Sequence, residues 1–281
     1  MPIAARIRAD AHHLAATLRV IWAGAACAAV LATCATAADL DPPATQFAPA
    51  GRSDRDAPVF FGTFYLWASG LSGTTSTLPP LPAANVDLSF GDVLKNFDGG
   101  LMGAVEMRAG RWSVIGDVMF TQVSPGTTMP GPFAADVSVR SRSLTVQGDV
   151  LYRLYASETF DIDAGAGLRF WNLDNRLTIG PGLAPAGIAH DVSQSWLDPI
   201  LAGRVSARLG GPWSVVLLGD VGGFDLGARL TWQVIGTVNY QWNENLALRA
   251  GYRALSVDYQ NGDFLYDVLM QGPILGATYR F

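Results

Sequence analysis

The chain has 281 residues, 49% of them apolar and 15% charged, with 31 glycines and a formal charge of −5. A mean hydropathy of +0.23 is high for a soluble domain and too low for a bundle of membrane helices, while an acidic balance with few lysines argues against a nucleic-acid partner. Both cysteines, Cys27 and Cys34, lie near the start, so a chain that loses that segment has no disulfide, thiolate metal site or cysteine nucleophile.

Residues 1–37 read as a signal peptide. Arg6, Arg8 and Arg19 precede the apolar run Val20 to Ala32, and Ala35-Thr36-Ala37 supplies the small side chains that a signal peptidase reads. The run is too short to span a membrane as a helix of about 20 residues. A lipobox at Leu31-Ala32-Thr33-Cys34 is the rival reading, and Thr33 fits it poorly. Cleavage after residue 37 removes Arg6, Arg8, Arg19 and Asp10 from totals of 19 basic and 24 acidic residues, leaving 16 and 23. Residues 38–57, rich in Pro, Ala and Asp without an apolar period, form a flexible periplasmic lead-in.

From residue 58 the apolar period is two, which predicts strands. Phe160, Ile162, Ala164, Ala166, Leu168 and Phe170 share one face, opposite Asp161, Asp163, Gly165, Gly167 and Arg169. Trp232, Val234, Gly236, Val238, Tyr240 and Trp242 oppose Gln233, Ile235, Thr237, Asn239 and Gln241. Ten such segments are expected, near 58–69, 99–109, 112–124, 137–155, 159–173, 195–209, 213–224, 229–242, 246–259 and 264–281. Tight turns follow every second one, and long loops are expected at 70–98, 125–136 and 174–194. An even strand count with short turns at one end and longer loops at the other predicts an all-β fold over 58–281: a transmembrane, antiparallel, up-and-down β-barrel of about ten strands. A β-sandwich would also alternate. The aromatic residues favour the barrel. Trp112, Tyr155, Phe160, Trp213, Trp242, Tyr279 and Phe281 gather at the tight-turn end, and Trp67, Phe120, Trp171, Trp196 and Trp232 toward the other, as two interfacial girdles would require.

Within this strand array a four-strand unit repeats. Gly116-Asp117-Val118 is echoed by Gly219-Asp220-Val221, Leu144-Thr145-x-Gln147 by Leu230-Thr231-x-Gln233, Ala166-Gly167-x-Arg169 by Ala250-Gly251-x-Arg253, and Pro199-Ile200-Leu201 by Pro273-Ile274-Leu275. The two prolines are expected at bulges on the extracellular rim, since a closed barrel has no free edge. The chain ends in an alternating strand with a terminal Phe281.

The stretch Asp87-Leu88-Ser89-Phe90-Gly91-Asp92-Val93-Leu94, the run Gly251-Tyr252-Arg253-x-Leu255-x-Val257-Asp258-Tyr259 and the tail Tyr279-Arg280-Phe281 resemble an uncharacterised family of small porin-like, OmpW-like barrels of proteobacterial outer membranes. The resemblance implies an outer-membrane location, lipid and lipopolysaccharide around the barrel, and a C-terminal strand read by the barrel assembly machinery. It implies no activity.

The inward charges are then Glu106, Arg108, Asp117, Asp149, Arg153, Asp161, Asp163, Arg169, Asp198, Arg204, Arg208, Asp220, Arg249 and Arg253, with Arg280 near the end. Acids and bases nearly balance, and a narrow barrel lined by long arginines is expected to be filled by ion pairs; open porins need about 16 strands. His190, with Asp191 and Ser193, could be drawn as an acyl-transfer site, but neighbours in sequence rarely converge on one substrate atom. Asp87, Asp92 and Asp98 lack the spacing of a calcium loop. The expectation is a structural or surface-interaction protein with no catalytic residue, metal or cofactor. A narrow channel for small solutes or ions is the alternative, and an outer-membrane hydrolase a third.

Overall fold

The computed structural model describes residues 57–78, 82–124, 126–129, 135–179 and 188–281. The expected signal segment and nearly all of the lead-in lie outside the described residues. Strands follow in the order β1 (Val59–Trp67), β2 (Gly70–Ser76), β3 (Ala84–Leu88), β4 (Phe97–Ala109), β5 (Trp112–Val123), β6 (Gly126–Met129), β7 (Ala135–Ala156), β8 (Phe160–Ile179), β9 (Ile188–Gly210), β10 (Trp213–Gly223), β11 (Leu230–Gln241), β12 (Leu246–Asn261) and β13 (Phe264–Arg280). One short helix, α1 (Phe90–Lys95), joins β3 to β4. β1 continues as β2, β3 as β4 beyond α1, and β5 as β6, so the thirteen segments occupy the ten positions of a closed antiparallel barrel.

Closure is made by the first and last strands. β13 pairs with β1 from Phe61↔Arg280 to Trp67↔Ile274, and with β2 from Gly70↔Gln271 to Ser76↔Leu265. The Phe281 amide extends this seam by donating to the Phe60 carbonyl at 3.0 Å. Every strand of the ring thus has two neighbours, which satisfies the backbone polar groups that a membrane interior leaves without water.

The turns at one end are tight for local reasons. Gly110 and Gly211 take φ of +57° and +55°, which side chains resist. Ser157 Oγ accepts the Phe160 amide at 3.0 Å, and Asn243 Oδ1 accepts the Leu246 amide at 2.8 Å, so side chains close the two remaining turns. At the other end the sheet runs further than its periodicity predicts. β7, β8 and β9 are 22, 20 and 23 residues long, where about 9–11 tilted residues cross a membrane. The segments expected as loops at 70–98 and 174–194 are therefore largely strand: β2, β3 and α1 in the first, and the upper parts of β8 and β9 in the second. Burial still alternates in the upper parts of β8 and β9, where Leu173 and Asn175 are buried between the exposed Asp174 and Arg176, but polar residues stand on both faces, so period two fades in the sequence while pairing continues.

The prolines also differ from expectation. Pro199 pairs in register with Leu168 on β8, and on its other side β10 pairing stops at Ile200↔Gly222, so the absent N–H falls where the neighbour has ended. Pro273 lies opposite the break between β1 and β2, where the Ala68 amide donates to its carbonyl at 2.9 Å. Neither is a bulge and neither is at the rim. Register shifts occur instead between Trp213 and Ser214, Arg153 and Tyr155, and Phe97 and Gly99.

Alternation divides the side chains between two surroundings. Outward positions such as Leu66, Leu101, Val105, Leu201 and Leu275 are exposed apolar residues in a continuous skin. An apolar band of this kind on a sealed barrel faces lipid. Below it, at the tight turns, Trp112, Tyr155, Phe160, Trp213, Trp242, Tyr279 and Phe281 all point outward. They pack in pairs along the ring, Trp112 edge-on to Tyr152 at 4.8 Å and Tyr155 stacked on Phe160 at 5.0 Å. The second girdle is a correction. Phe120 faces out, but Trp67, Trp171 and Trp196 are turned into the barrel and buried. Each shares the parity of its strand's inward residues: Trp171 that of Arg169, and Trp196 that of Asp198.

Candidate functional site

The barrel interior is built in layers. Nearest the tight turns lies a chain of ion pairs. Arg108 donates to Glu106 through Nε at 2.7 Å and Nη2 at 3.0 Å. Arg204 reaches across the lumen to the same carboxylate at 2.6 Å and holds Asp163 at 2.6 Å, while also donating to Ser113 Oγ at 3.1 Å. Arg153 donates to the other oxygen of Asp163 at 2.9 Å. Arg208 pairs with Asp161 at 2.8 Å. Asp161 and Asp163 are thus both held by lumen arginines.

The middle layer is buried, apart from the half-buried Asp117. Arg169 donates to both oxygens of Asp220 at 2.7 Å, to Gln147 Oε1 at 2.8 and 3.0 Å, and to Thr231 Oγ1 at 3.0 Å. Arg253 donates to Gln233 Oε1 at 2.9 Å and to Tyr65 Oη at 2.9 Å, with Asp117 at 3.5 Å. Tyr65 Oη in turn donates to Asp117 at 2.8 Å. Each glutamine works as a relay. Its carbonyl oxygen accepts from an arginine, and its amino group donates to a carboxylate: Gln147 to Asp149 at 2.8 Å and to Asp220 at 3.3 Å, Gln233 to Asp220 at 3.0 Å.

This layer joins the two repeated units. Asp117, Gln147 and Arg169 come from the first copy, and Asp220, Gln233 and Arg253 from the second. The ion pairs are exchanged between copies, Arg169 with Asp220 and Arg253 with Asp117. Inward glycines let the strands carrying these groups approach. A Cβ on Gly167 would lie 2.2 Å from Asp149 Oδ1, and one on Gly251 would lie 1.9 Å from the Gly236 carbonyl oxygen.

Above the middle layer the interior becomes aromatic. Trp196 stacks between Trp171 at 5.6 Å and Tyr259 at 3.9 Å, with Tyr266 tilted against it at 6.4 Å. Leu255, Val257, Phe264 and Val268 complete this buried cluster. Asp198 sits beneath it, fully buried, accepting the Ala228 amide at 2.6 Å and Trp196 Nε1 at 3.1 Å. Arg253 lies over the Trp67 ring at 4.9 Å, so the cationic layer is sealed against the aromatic one.

All fourteen charged residues expected to face the lumen lie on inward faces, though Arg108, Arg153 and Arg208 are partly open at the mouth. Absent from the sequence reading of this network are the neutral members Tyr65, Ser113, Gln147, Thr231 and Gln233. Their inward parity was visible, and Gln147 and Gln233 occupied matching positions of the repeat; only their lack of charge hid them.

Other sequence candidates are dispersed. Asp191 is held by Arg176 at 2.6 and 2.8 Å. In β9, His190 points to the opposite strand face from Asp191 and Ser193, so the three do not converge. Ser89 caps α1, its Oγ accepting the Asp92 amide at 3.3 Å and donating to the Asp92 carboxylate at 2.6 Å; with Lys95 at 3.2 Å, these partners hold the Asp92 carboxyl below the ordinary range. Asp98 accepts from Gln122 at 3.0 Å and from Ser124. Among the described residues no three His, Cys, Asp or Glu side chains group as metal ligands.

No family model matches the chain, and no curated protein matches it. Solved structures with a similar course include the outer membrane protease OmpT from Escherichia coli, at 9% identity and a TM-score of 0.47, covering 80% of this chain and 97% of that one. The translocator domain of the autotransporter NalP from Neisseria meningitidis follows at 11% and 0.46, covering 80% and 88%. The attachment invasion locus protein Ail of Yersinia pestis, in complex with a heparin analogue, aligns at 14% and 0.33, covering 80% and 98%.

Proposed function

We propose that this chain is an integral protein of the bacterial outer membrane whose lumen is closed by its own side chains and whose work is structural or done at the cell surface. The carrying observation is the middle layer: Arg169 and Asp220 are wholly buried and clamped across the lumen, with a stacked aromatic cluster above them. A ten-stranded barrel has little room to spare around such groups. The tight-turn end then faces the periplasm, as in barrels of this class, and the long hairpins of β7, β8 and β9 rise from the outer leaflet. Lipopolysaccharide and lipid surround the apolar skin, and the terminal strand with Phe281 is what the assembly machinery reads. We assign no catalytic residue, metal or cofactor. His190 in particular lies on the opposite strand face from Asp191 and Ser193, and His190→Ala leaves unchanged any lipid or peptide turnover the protein displays.

Planar-bilayer recording of the refolded protein tests the closed lumen. The expected result is silence at moderate voltage. Reproducible openings that vanish or change selectivity in Arg253→Ala would instead support a narrow channel, the second reading, which an internal cavity near the turn end favours.

A further inference from the structure

On the outward face of β7, β8 and β9 the apolar skin ends abruptly. Val146, Phe170 and Leu197 are exposed apolar residues paired in one row, and Phe120 and Leu144 belong to the next. Directly above, Gln122, Arg142, Asp174 and Ser193 are paired in a row, followed by Arg140, Arg176 and Asp191. The ladder has no register shift between these rows, so their side chains point to the same face as Val146 and Phe170.

Arg140, Arg142, Asp174, Arg176, Asp191 and Ser193 line an exterior cleft of about 350 Å3, within the range of small-molecule sites at about 300–1,000 Å3. Its cations are not all paired. Arg176 is tied to both oxygens of Asp191, at 2.6 and 2.8 Å. Neither Arg140 nor Arg142 is within ion-pair distance of a carboxylate among the described residues. Arg142 is instead aimed by a relay: its Nε donates to Gln122 Oε1 at 2.9 Å, and Gln122 Nε2 donates to Asp98 at 3.0 Å, which leaves the Nη groups of Arg142 for a ligand. Residues two apart on one strand face stand about 7 Å apart at the backbone, so both guanidiniums can reach one phosphate. Asp174 narrows the ligand. It is exposed beside Arg142 in the ladder, where a carboxylate repels a bare anion but accepts from sugar hydroxyls.

We propose that this cleft holds the phosphorylated sugar headgroup of an outer-leaflet glycolipid, with Arg140 and Arg142 on the phosphate and Asp174 and Ser193 on the hydroxyls. The occupant follows from position and charge. The cleft continues the lipid-facing skin upward, so what lies against it is the headgroup layer of the lipid that covers Phe170 and Leu197, and two free guanidiniums match its phosphate. The inference rests on the orientation proposed above, with the tight turns in the periplasm.

Native mass spectrometry of the refolded full-length protein in detergent micelles tests it with diphosphoryl lipid A, fully dephosphorylated lipid A and dioleoylphosphatidylglycerol, and with inorganic phosphate as the soluble competitor. Diphosphoryl lipid A should bind at least tenfold more tightly than the other two lipids and should not be displaced by phosphate. Arg140→Gln/Arg142→Gln should weaken it at least tenfold, while Arg229→Gln, an exposed arginine outside the cleft, should not. Asp174→Ala should weaken lipid A and leave phosphatidylglycerol no weaker. Equal binding of the three lipids, displacement by phosphate, or an equal loss with Arg229→Gln would overturn the proposal. The orientation has its own readout. Thr178→Cys, exposed near the upper end of β8, should react with a membrane-impermeant maleimide on intact cells. Labelling without selective lipid A binding overturns the cleft and leaves the orientation standing; no labelling overturns both.

Discussion

The middle ionic layer makes a sharp prediction about coupling. In Arg169→Met the carboxylate of Asp220 keeps only two neutral donors, Gln147 Nε2 at 3.3 Å and Gln233 Nε2 at 3.0 Å, in place of the charged Arg169 Nη2 that reaches both its oxygens. In Asp220→Leu the guanidinium of Arg169 keeps Gln147 and Thr231 but no hydrogen-bonded carboxylate. Stranding one member of a fully buried pair costs about 3–5 kcal/mol. Removing both costs less, because the unpaired charge is gone and what remains is the amide ends of the two glutamines, about 1–3 kcal/mol. Arg169→Met/Asp220→Leu should therefore be more stable than either single variant, with a coupling of at least about 3 kcal/mol. Urea unfolding in lipid vesicles, followed by tryptophan fluorescence, measures all four corners of the cycle. Strictly additive effects, each below about 1 kcal/mol as for solvated ion pairs, would show that water fills this layer and that it does not close the lumen.

Other consequences are simpler to read. Gly167→Ala places a methyl 2.2 Å from Asp149 Oδ1 and 2.3 Å from the Gly148 carbonyl oxygen, and should cost about 1–3 kcal/mol in the same unfolding assay. Gly148→Ala, whose methyl meets nothing within 4 Å, should cost far less. Phe281→Ala keeps the backbone bond to Phe60 but loses the edge-on contact with Tyr279 at 5.1 Å, and should lower the fraction that reaches the heat-modifiable folded form in cells. Trp196→Ala removes the centre of the aromatic stack, at about 3–5 kcal/mol, and should still give a silent bilayer because the layer below stays intact; openings from this single change would place the closure in the aromatics.

Period two carried most of the barrel. Strand count, the turn-end girdle and the inward parity of the charges were all legible, because a wall one residue thick between lipid and lumen forces strict alternation wherever the two surroundings differ. Legibility failed where that contrast failed. In the upper parts of β7, β8 and β9 the outward face turns polar, with Arg140, Arg142, Asp174 and Arg176 exposed on it, while the inward face holds polar Asn175 beside Leu173, so hydropathy no longer separates the faces and paired strand looks like loop. Inside the upper lumen the contrast inverts. Trp67, Trp171 and Trp196 are as apolar as the lipid-facing residues, so their height suggested a girdle. Their parity, shared with Tyr65, Arg169 and Asp198, was the better guide, since a one-residue step along a strand always reverses the face.

The repeat explains why the charges were visible but their partners were not. Within one copy, Asp117, Gln147 and Arg169 stand in one row across three neighbouring strands, because Asp117 pairs with Gln147 and Gln147 with Arg169 in the ladder. An ion pair inside that row would neutralise one wall and leave the lumen open. The exchange, Arg169 to Asp220 and Arg253 to Asp117, instead sends each guanidinium to the other copy, with Gln147 and Gln233 bridging the gaps. Each copy alone would present an unmatched acid and an unmatched base to a half-open sheet. Only when the sheet closes on itself do the two mismatches cancel, so burying this layer and sealing the barrel are a single event. Ring closure should accordingly be as sensitive to Asp117→Asn as to Asp220→Asn, though the two residues stand on different strands and Asp117 is the less buried; a barrel that closes at its normal rate with either acid removed would show that the exchange follows closure and does not drive it.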